Sequence, residues 1–302
     1  MRDNSRLFYA ECTAFPSPMA VKICLSPHTL EADPDSAHRQ YAALLRVSEA
    51  MGEATDFCVP RPYLLRADVG LLATEWIAGR SMTELVFSWR CSLGQACELM
   101  ARSARWLRCF HACHALAPGQ LDVEPRLAFL DELETSRTVS DPVFFRALGV
   151  LRHSADAATA IMLNRSWTHG DFKTDNLIVS GRRTVGVDVH LRHESTVIYD
   201  LAMFLNHLAL RLCHPAGWRL ARSQSVLRET FLANYFPVRN DTIMAPLAWI
   251  QLYLLLQGWH TGARAGSWLR SSLLSLCYRT IALRLVGCMA RLRAAMRHSG
   301  AP

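Results

Sequence analysis

The sequence predicts an α+β chain, with a small antiparallel β-sheet lobe first and a larger, mainly helical lobe after it. Three observations carry that prediction. Two apolar runs near the start, residues 6–13 and 19–24, flank Ala14-Phe15-Pro16-Ser17-Pro18, the turn a hairpin requires. Beyond residue 80, helix-start spacings and helical apolar periodicity dominate almost to the end of the chain. Between them, residues 167–179 bring His169, Asp171, Lys173 and Asn176 close together and run straight into Leu177-Ile178-Val179, which sets charged chemistry against a buried strand.

Taken in order, Lys22 sits within the second apolar run, Met-Ala-Val-Lys-Ile-Cys. Asp35 or Ser36 then caps a helix that runs through His38, Gln40 and Leu45. Two short strands follow, 63–67 and 71–77, joined through Asp68-Val69-Gly70, and the second carries Glu75 and Ile77 before Gly79. Ser81-Met82-Thr83-Glu84 and Ser92-Leu93-Gly94-Gln95 both have capping-box spacing, so two helices begin there and open a helical lobe. Residues 125–138 and 141–163 read as further helices. In the stretch 245–256, Gln251 interrupts an apolar run suited to a buried helix, and 267–297 reads as a last helix studded with arginine.

The chemistry-bearing stretch reads as half of a hairpin. Ser180-Gly181-Arg182-Arg183 is a turn and residues 184–189 return as a strand, which brings Asp188 beside Asn176. The hard oxygens of Asn176 and Asp188 suit Mg²⁺, which prefers carboxylate, carbonyl and water over nitrogen or sulfur. Asp171 is left to orient a substrate hydroxyl.

At these residues the chain resembles the aminoglycoside phosphotransferase and protein-kinase-like superfamily. His169-Gly170-Asp171 followed by Asn176 is similar to its catalytic loop, and Asp188 stands where the kinase Asp-Phe-Gly motif places a metal-binding Asp. Met-Ala-Val-Lys resembles the strand whose lysine contacts the α and β phosphates, and Lys173 falls where many kinases carry a lysine that meets the γ-phosphate. Of the 33 basic residues, all but Lys22 and Lys173 are arginine, so both lysines fall where the resemblance asks for one. The resemblance implies a two-lobed protein-kinase-like fold, with a nucleotide-binding lobe over residues 1–78 and a helical lobe over 79–302. It implies catalytic roles for Asp171 and Lys173, metal binding by Asn176 and Asp188, and structural bracing by His169 and by Asp200 in Tyr199-Asp200-Leu201-Ala202. The main chain of Glu75 and Ile77 would read the base.

Two departures from that family stand out. No glycine precedes Gly52, and Asp3-Asn4-Ser5 looks like only the tail of its glycine-rich phosphate loop. Either the chain starts late and lacks the first strand, or the loop is degenerate, with backbone amides near Asn4 and Ser5 contributing to the triphosphate site. In the family's pattern Gln40 takes the place of the glutamate that would pair with Lys22, where it can hydrogen-bond the lysine without neutralising it, and Glu31 or Glu49 are the alternative partners.

Composition narrows the function. With 302 residues, 51% of them apolar, the chain can bury a sizeable core. No start-of-chain signal layout and no apolar run of membrane-spanning length is read, so the expected address is cytoplasmic; the arginine-rich last helix, 267–297, either packs on its lobe or makes peripheral contact with an anionic membrane at its inner face. Ten irregularly spaced cysteines fit reduced thiols. From residue 201 to the end there are twelve arginines against only Glu229 and Asp241. Polycationic aminoglycosides need clustered carboxylates, so the expected acceptor is a neutral or anionic sugar, metabolite or lipid-linked saccharide. The expected cofactors are ATP or GTP as phosphoryl donor and Mg²⁺, and nucleic acid is not the expected partner. A catalytically weak nucleotide-binding or scaffold protein and an aminoglycoside-type antibiotic phosphotransferase are the rival readings.

Overall fold

The computed structural model describes residues 5–26, 29–52, 56–191, 193–238, 241–265 and 268–298. The elements are, in order, β1 (Ser5–Ala10), β2 (Met19–Cys24), α1 (Pro34–Met51), β3 (Phe57–Cys58), β4 (Pro62–Arg66), β5 (Leu71–Glu75), β6 (Arg80–Ser81), α2 (Met82–Val86) and α3 (Leu93–Cys113). Then come β7 (Ala115–Gly119), α4 (Glu124–Ser136), α5 (Pro142–His153), α6 (Ala155–Thr159), β8 (Leu163–Trp167), β9 (Leu177–Ser180), β10 (Arg183–Gly186) and β11 (Glu194–Thr196). The chain ends with α7 (Ile198–Cys213), α8 (Gln224–Tyr235), α9 (Met244–Ala265) and α10 (Trp268–His298).

The chain forms two compact units. One comprises Met1–His114, His169–His193 and Glu229–Tyr235; the other comprises Ala115–Thr168, Glu194–Arg228 and Phe236–Pro302. The chain passes between them several times. The segment holding His169, Asp171 and Asp188 belongs to the unit that contains the N-terminal sheet.

In the first unit an antiparallel sheet has the order β1-β2-β5-β4, with Leu7 opposite Lys22 and Lys22 opposite Leu72. Helix α1 starts at Asp33, not at Asp35 or Ser36: the Asp33 carboxylate accepts from the Ser36 N–H at 2.9 Å and Pro34 occupies the first turn, where its missing N–H costs nothing. Ala37 of α1 packs on Cys24 and Leu72, so the face of the sheet that carries Lys22 is also the face that meets α1. A second sheet, β3-β10-β9-β6, pairs parallel between β3 and β10 and antiparallel elsewhere. Cys58, Ile77 and Val185 pack together beneath it and hold the end of the β5 segment against the β9–β10 hairpin. Helices α2 and α3 start with complete capping boxes at Ser81/Glu84 and Ser92/Gln95.

The second unit is mainly helical, not wholly so, because β11-β8-β7 form a small antiparallel sheet within it. The helix expected over 141–163 is broken at Ser154, whose hydroxyl turns back to donate to the Val150 carbonyl at 2.6 Å, and Leu163 begins β8. Helix α9 is the buried helix of this unit: Leu247, Trp249, Ile250, Leu252 and Leu256 are all at or near zero exposure. Gln251, which interrupts that apolar run, is only partly satisfied: its backbone carbonyl accepts from Asn206 Nδ2 at 2.7 Å and its Nε2 donates to Asn206 Oδ1 at 3.5 Å, while its Oε1 is buried with no hydrogen-bond partner among the described residues.

One reading of the sequence is corrected here. Residues Leu273–Ala294 of α10 form a helix long and apolar enough to cross a membrane by length and composition, with a mean hydropathy of 1.4. The arginines interrupt the apolar run locally, but leucine, isoleucine and valine outweigh them over a full helical window. A third of that window is buried within the protein.

Candidate active site

The site is built on a short irregular loop between two anchored ends. Gly170 has φ +77°, a left-handed conformation that a side chain disfavours, and it turns the chain between buried His169 and half-buried Asp171. A single 3-10 turn, Thr174–Asn176, then leads into β9. Its Thr174 hydroxyl lies 2.6 Å from that of Thr83 on α2, which pins the loop to the neighbouring helix. Beneath the loop the His169 ring is wholly buried, with Trp106, Phe110 and Phe172 at centroid distances of 5.7–6.0 Å. Trp106 stacks on Phe172 and Phe110 and donates its indole N–H to the Cys58 carbonyl at 2.9 Å. The loop therefore rests on a rigid aromatic floor.

Above that floor the polar groups converge. Lys173 Nζ donates to Asp171 Oδ2 at 2.6 Å. Asn176 Nδ2 donates to the Asp171 carbonyl at 2.8 Å and reaches Asp171 Oδ2 at 3.2 Å. The amide nitrogen of Asn176 is thus engaged, and its oxygen remains to accept. Asp171 Oδ1 takes no hydrogen bond from the described residues.

The β9–β10 hairpin pairs Leu177 with Gly186, and the Val187 N–H donates to the Asn176 carbonyl at 2.9 Å, so Asp188 emerges next to Asn176. Asp188 itself has φ +60°, a left-handed conformation rare for a residue with a side chain, of the kind that clusters at functional sites. Its Oδ1 accepts from Lys22 Nζ at 2.5 Å and from His190 Nε2 at 3.2 Å. Burial pushes the Asp188 carboxyl toward protonation, but the hydrogen bond from His190 and the Lys22 charge outweigh it and hold the group well below the usual carboxylate range. Asp188 is therefore a retained negative charge.

The fit to a divalent cation rests on that donor set. Asp188 supplies an ionised carboxylate and Asn176 an amide oxygen, both hard ligands of the kind Mg²⁺ takes, with water and substrate oxygens completing its shell. Among the described residues no group of three or more His, Cys, Asp and Glu side chains converges. A site with two protein ligands matches magnesium's habit of keeping water and phosphate oxygens rather than an all-protein cage.

Of the other expected positions, one makes a different contact. Gln40 does not meet Lys22; its amide donates to Ser36 Oγ, one turn earlier on the same helix, at 3.0 Å, and Lys22 pairs with Asp188 instead. Asn4 lies outside the described residues. Ser5 is the first residue of β1, opposite Cys24. Strand β5 ends at Glu75, whose N–H donates to the Arg61 carbonyl at 2.8 Å, while the Trp76 N–H donates to Pro18. The main chain of Ile77 has no hydrogen-bond partner among the described residues. Asp200 is wholly buried in the first turn of α7, within the second unit.

Two contributors escape a sequence reading. His190 shares Asp188 Oδ1 with Lys22, and the alternation in Asp188-Val189-His190 is the only trace of it. Arg102 on α3 donates to the carbonyls of Gly181, Arg182 and Arg183 and to the Thr184 hydroxyl, clamping the turn of the β9–β10 hairpin. Nothing local marks it among the other arginines.

The phosphotransferase enzyme family matches residues 16–240 of the chain. No curated protein matches the sequence. A choline/ethanolamine kinase family protein from Mesorhizobium loti has a similar structure, with TM-score 0.64 and 14% identity over 97% of this chain and 92% of that one. A glucosamine kinase solved with glucosamine, ADP and inorganic phosphate aligns at TM-score 0.64 and 14% identity, over 94% of this chain and 79% of its own. An amicoumacin kinase solved with AMP-PNP and Ca²⁺ aligns at TM-score 0.63 and 14% identity, over 93% and 86%. At such identities the likeness is one of fold.

Proposed function

The chain belongs to the phosphotransferase enzyme family, and from that premise we propose that it moves the γ-phosphoryl group of ATP or GTP, with magnesium, to a hydroxyl of a small molecule. The observation that carries the reading is one connected polar cluster drawn from separate stretches of chain: Lys22 on Asp188, Val187 on Asn176, Asn176 on Asp171 and Asp171 on Lys173.

In this reading Asp171 Oδ1 accepts the hydrogen bond of the acceptor hydroxyl. Its partner oxygen is held by Lys173 and Asn176, which fixes the carboxylate plane. The acceptor oxygen forms a bond to the γ-phosphorus as the bond to the leaving β-phosphate oxygen breaks, and the hydroxyl proton passes late to Asp171. A strong base is unnecessary, because phosphoryl transfer has a loose transition state and depends chiefly on positioning. Asn176 and Asp188 would hold the magnesium, which when bound neutralises charge on the phosphate oxygens. Lys22 and Lys173 have partners they can exchange for phosphate oxygens, and the main chain of Ile77, which meets no hydrogen-bond partner among the described residues, supports a role in reading the base.

The kinases of choline or ethanolamine, glucosamine and amicoumacin that share the fold support a small-molecule acceptor. Twelve arginines against two acids after residue 200 support a neutral or anionic one over a polycation. Screening a hydroxyl library with wild type and Asp171→Ala, and reading a mass gain of one phosphoryl group, tests this. A product that appears equally with both proteins, or turnover stimulated only by kanamycin-like polyamines, would sink the respective part of the reading.

One observation favours a second reading, a catalytically weak nucleotide-binding protein. No acid on α1 meets Lys22, and Gln40 is turned to Ser36. Magnesium-dependent nucleotide binding without any phosphorylated product across the library would decide for it.

A further inference from the structure

The last helix presents a face that the phosphotransferase chemistry does not use. One side of α10 is buried in its own unit through Cys277, Tyr278, Ile281, Ala282, Val286 and Met289. With successive residues about 100° apart around the axis, Leu276, Leu283, Gly287 and Ala294 fall on a narrow strip of the opposite side. Leu276 is 58% exposed and Leu283 43%. Arg279 lies along one edge of the strip, and Arg284 and Arg291 lie along the other. Arg284 gives one N–H to Gln224, and Arg279 is only loosely opposed by Asp141 at 3.8 Å.

We propose that this face is a docking surface for an anionic lipid bilayer, with α10 lying in the plane of the surface. An apolar strip edged on both sides by guanidinium groups matches both layers of such a surface. The leucines enter the acyl boundary while the arginine stems lie along it and their heads reach lipid phosphates. The charge pattern argues against other occupants. From Trp268 to His298 there is no Asp or Glu, so a second copy packed helix to helix on this face would set arginine against arginine with no carboxylate from either helix between them. A nucleic-acid backbone would satisfy the arginines but leave the leucines against a polar surface. The proposal stands independently of the phosphotransferase reading.

Cosedimentation of the full chain with vesicles tests it, using mixed phosphatidylglycerol and phosphatidylcholine against phosphatidylcholine alone. Wild type should bind the anionic vesicles, bind more weakly as salt rises, and stay in solution with the neutral ones. Replacing Arg279, Arg284 and Arg291 with Gln should lower the partition coefficient by about a hundredfold. Leu276→Gln with Leu283→Gln should lower it by about tenfold or more. Both variants should keep the wild-type circular dichroism and melting temperature, since the positions are exposed. Folded wild type that ignores anionic vesicles overturns the proposal, as does equal binding by both variants. A dimer abolished by the leucine pair, or duplex DNA binding, in the absence of vesicle binding would assign the face to a second copy or to nucleic acid instead.

Discussion

Lys22 and Asp188 are 166 positions apart in the chain, yet the ammonium of one lies 2.5 Å from the carboxylate of the other. The contact joins β2 of the N-terminal sheet to the end of the β9–β10 hairpin, so the lysine and the carboxylate hold each other in place. With its charge balanced in this way, the site can stay half-buried.

If Lys22 acts on phosphate, Lys22→Ala should lower kcat/KM for phosphoryl transfer by about a hundredfold, the loss expected when one preorganised cationic donor is removed. The nucleotide KM should rise with it. Steady-state kinetics with varied nucleotide check this, and a variant within twofold of wild type would remove Lys22 from the mechanism.

Asp188 should also mark the acid side of the stability profile. Its carboxyl is held below the ordinary range in the folded protein, so the unfolded chain binds the proton more readily. The stabilisation is present above the unfolded value of about 3.9 and is lost as pH falls through it toward the folded value. Thermal melts without nucleotide or metal should therefore show wild type above Asp188→Asn near neutrality, with the gap closing between about pH 5 and pH 2. A gap that stays constant would mean that Lys22 and His190 do not hold the charge.

The loop 169–176 was legible in sequence because its contacts are local: Asp171, Lys173 and Asn176 meet within a span of six residues. The capping boxes at Ser81 and Ser92 were legible for the same reason. Gln40 was not, because a side chain one helical turn from Ser36 finds a nearer partner than a lysine on another element. His190 stayed hidden because its only trace is the alternation in Asp188-Val189-His190, a spacing too common to single it out. The break at Ser154 carries no glycine or proline to mark it in the sequence, and the hydroxyl's bond to the Val150 carbonyl is one that Ser103 also makes within the unbroken α3.

Asp171→Asn should separate binding from chemistry. The amide keeps the shape that Lys173 and Asn176 grip, but it cannot take the acceptor's proton, so kcat should fall by about 10²–10⁴-fold while nucleotide affinity changes little. Calorimetric titration with a non-hydrolysable nucleotide beside turnover assays distinguishes the two effects. Parallel loss of affinity and rate would make Asp171 a scaffold for the loop instead.

The aromatic floor should be intolerant of a single methyl group at Gly186. A Cβ built there would lie 2.0 Å from the Trp106 ring, and that ring cannot withdraw: it is fully buried, stacked between Phe110 and Phe172, and hydrogen-bonded to Cys58. Gly186→Ala should destabilise the fold by about 1–3 kcal/mol through overpacking. It should also weaken metal-dependent nucleotide binding, because Asp188 lies two residues further on. Gly94→Ala is the matched control: nothing lies within 4 Å of a Cβ there, and in the first turn of α3 the change should stabilise by up to about 1 kcal/mol. Denaturant melts of the two variants should therefore shift in opposite directions. A Gly186→Ala protein as stable as wild type would show that the hairpin carrying Asp188 is not seated on Trp106.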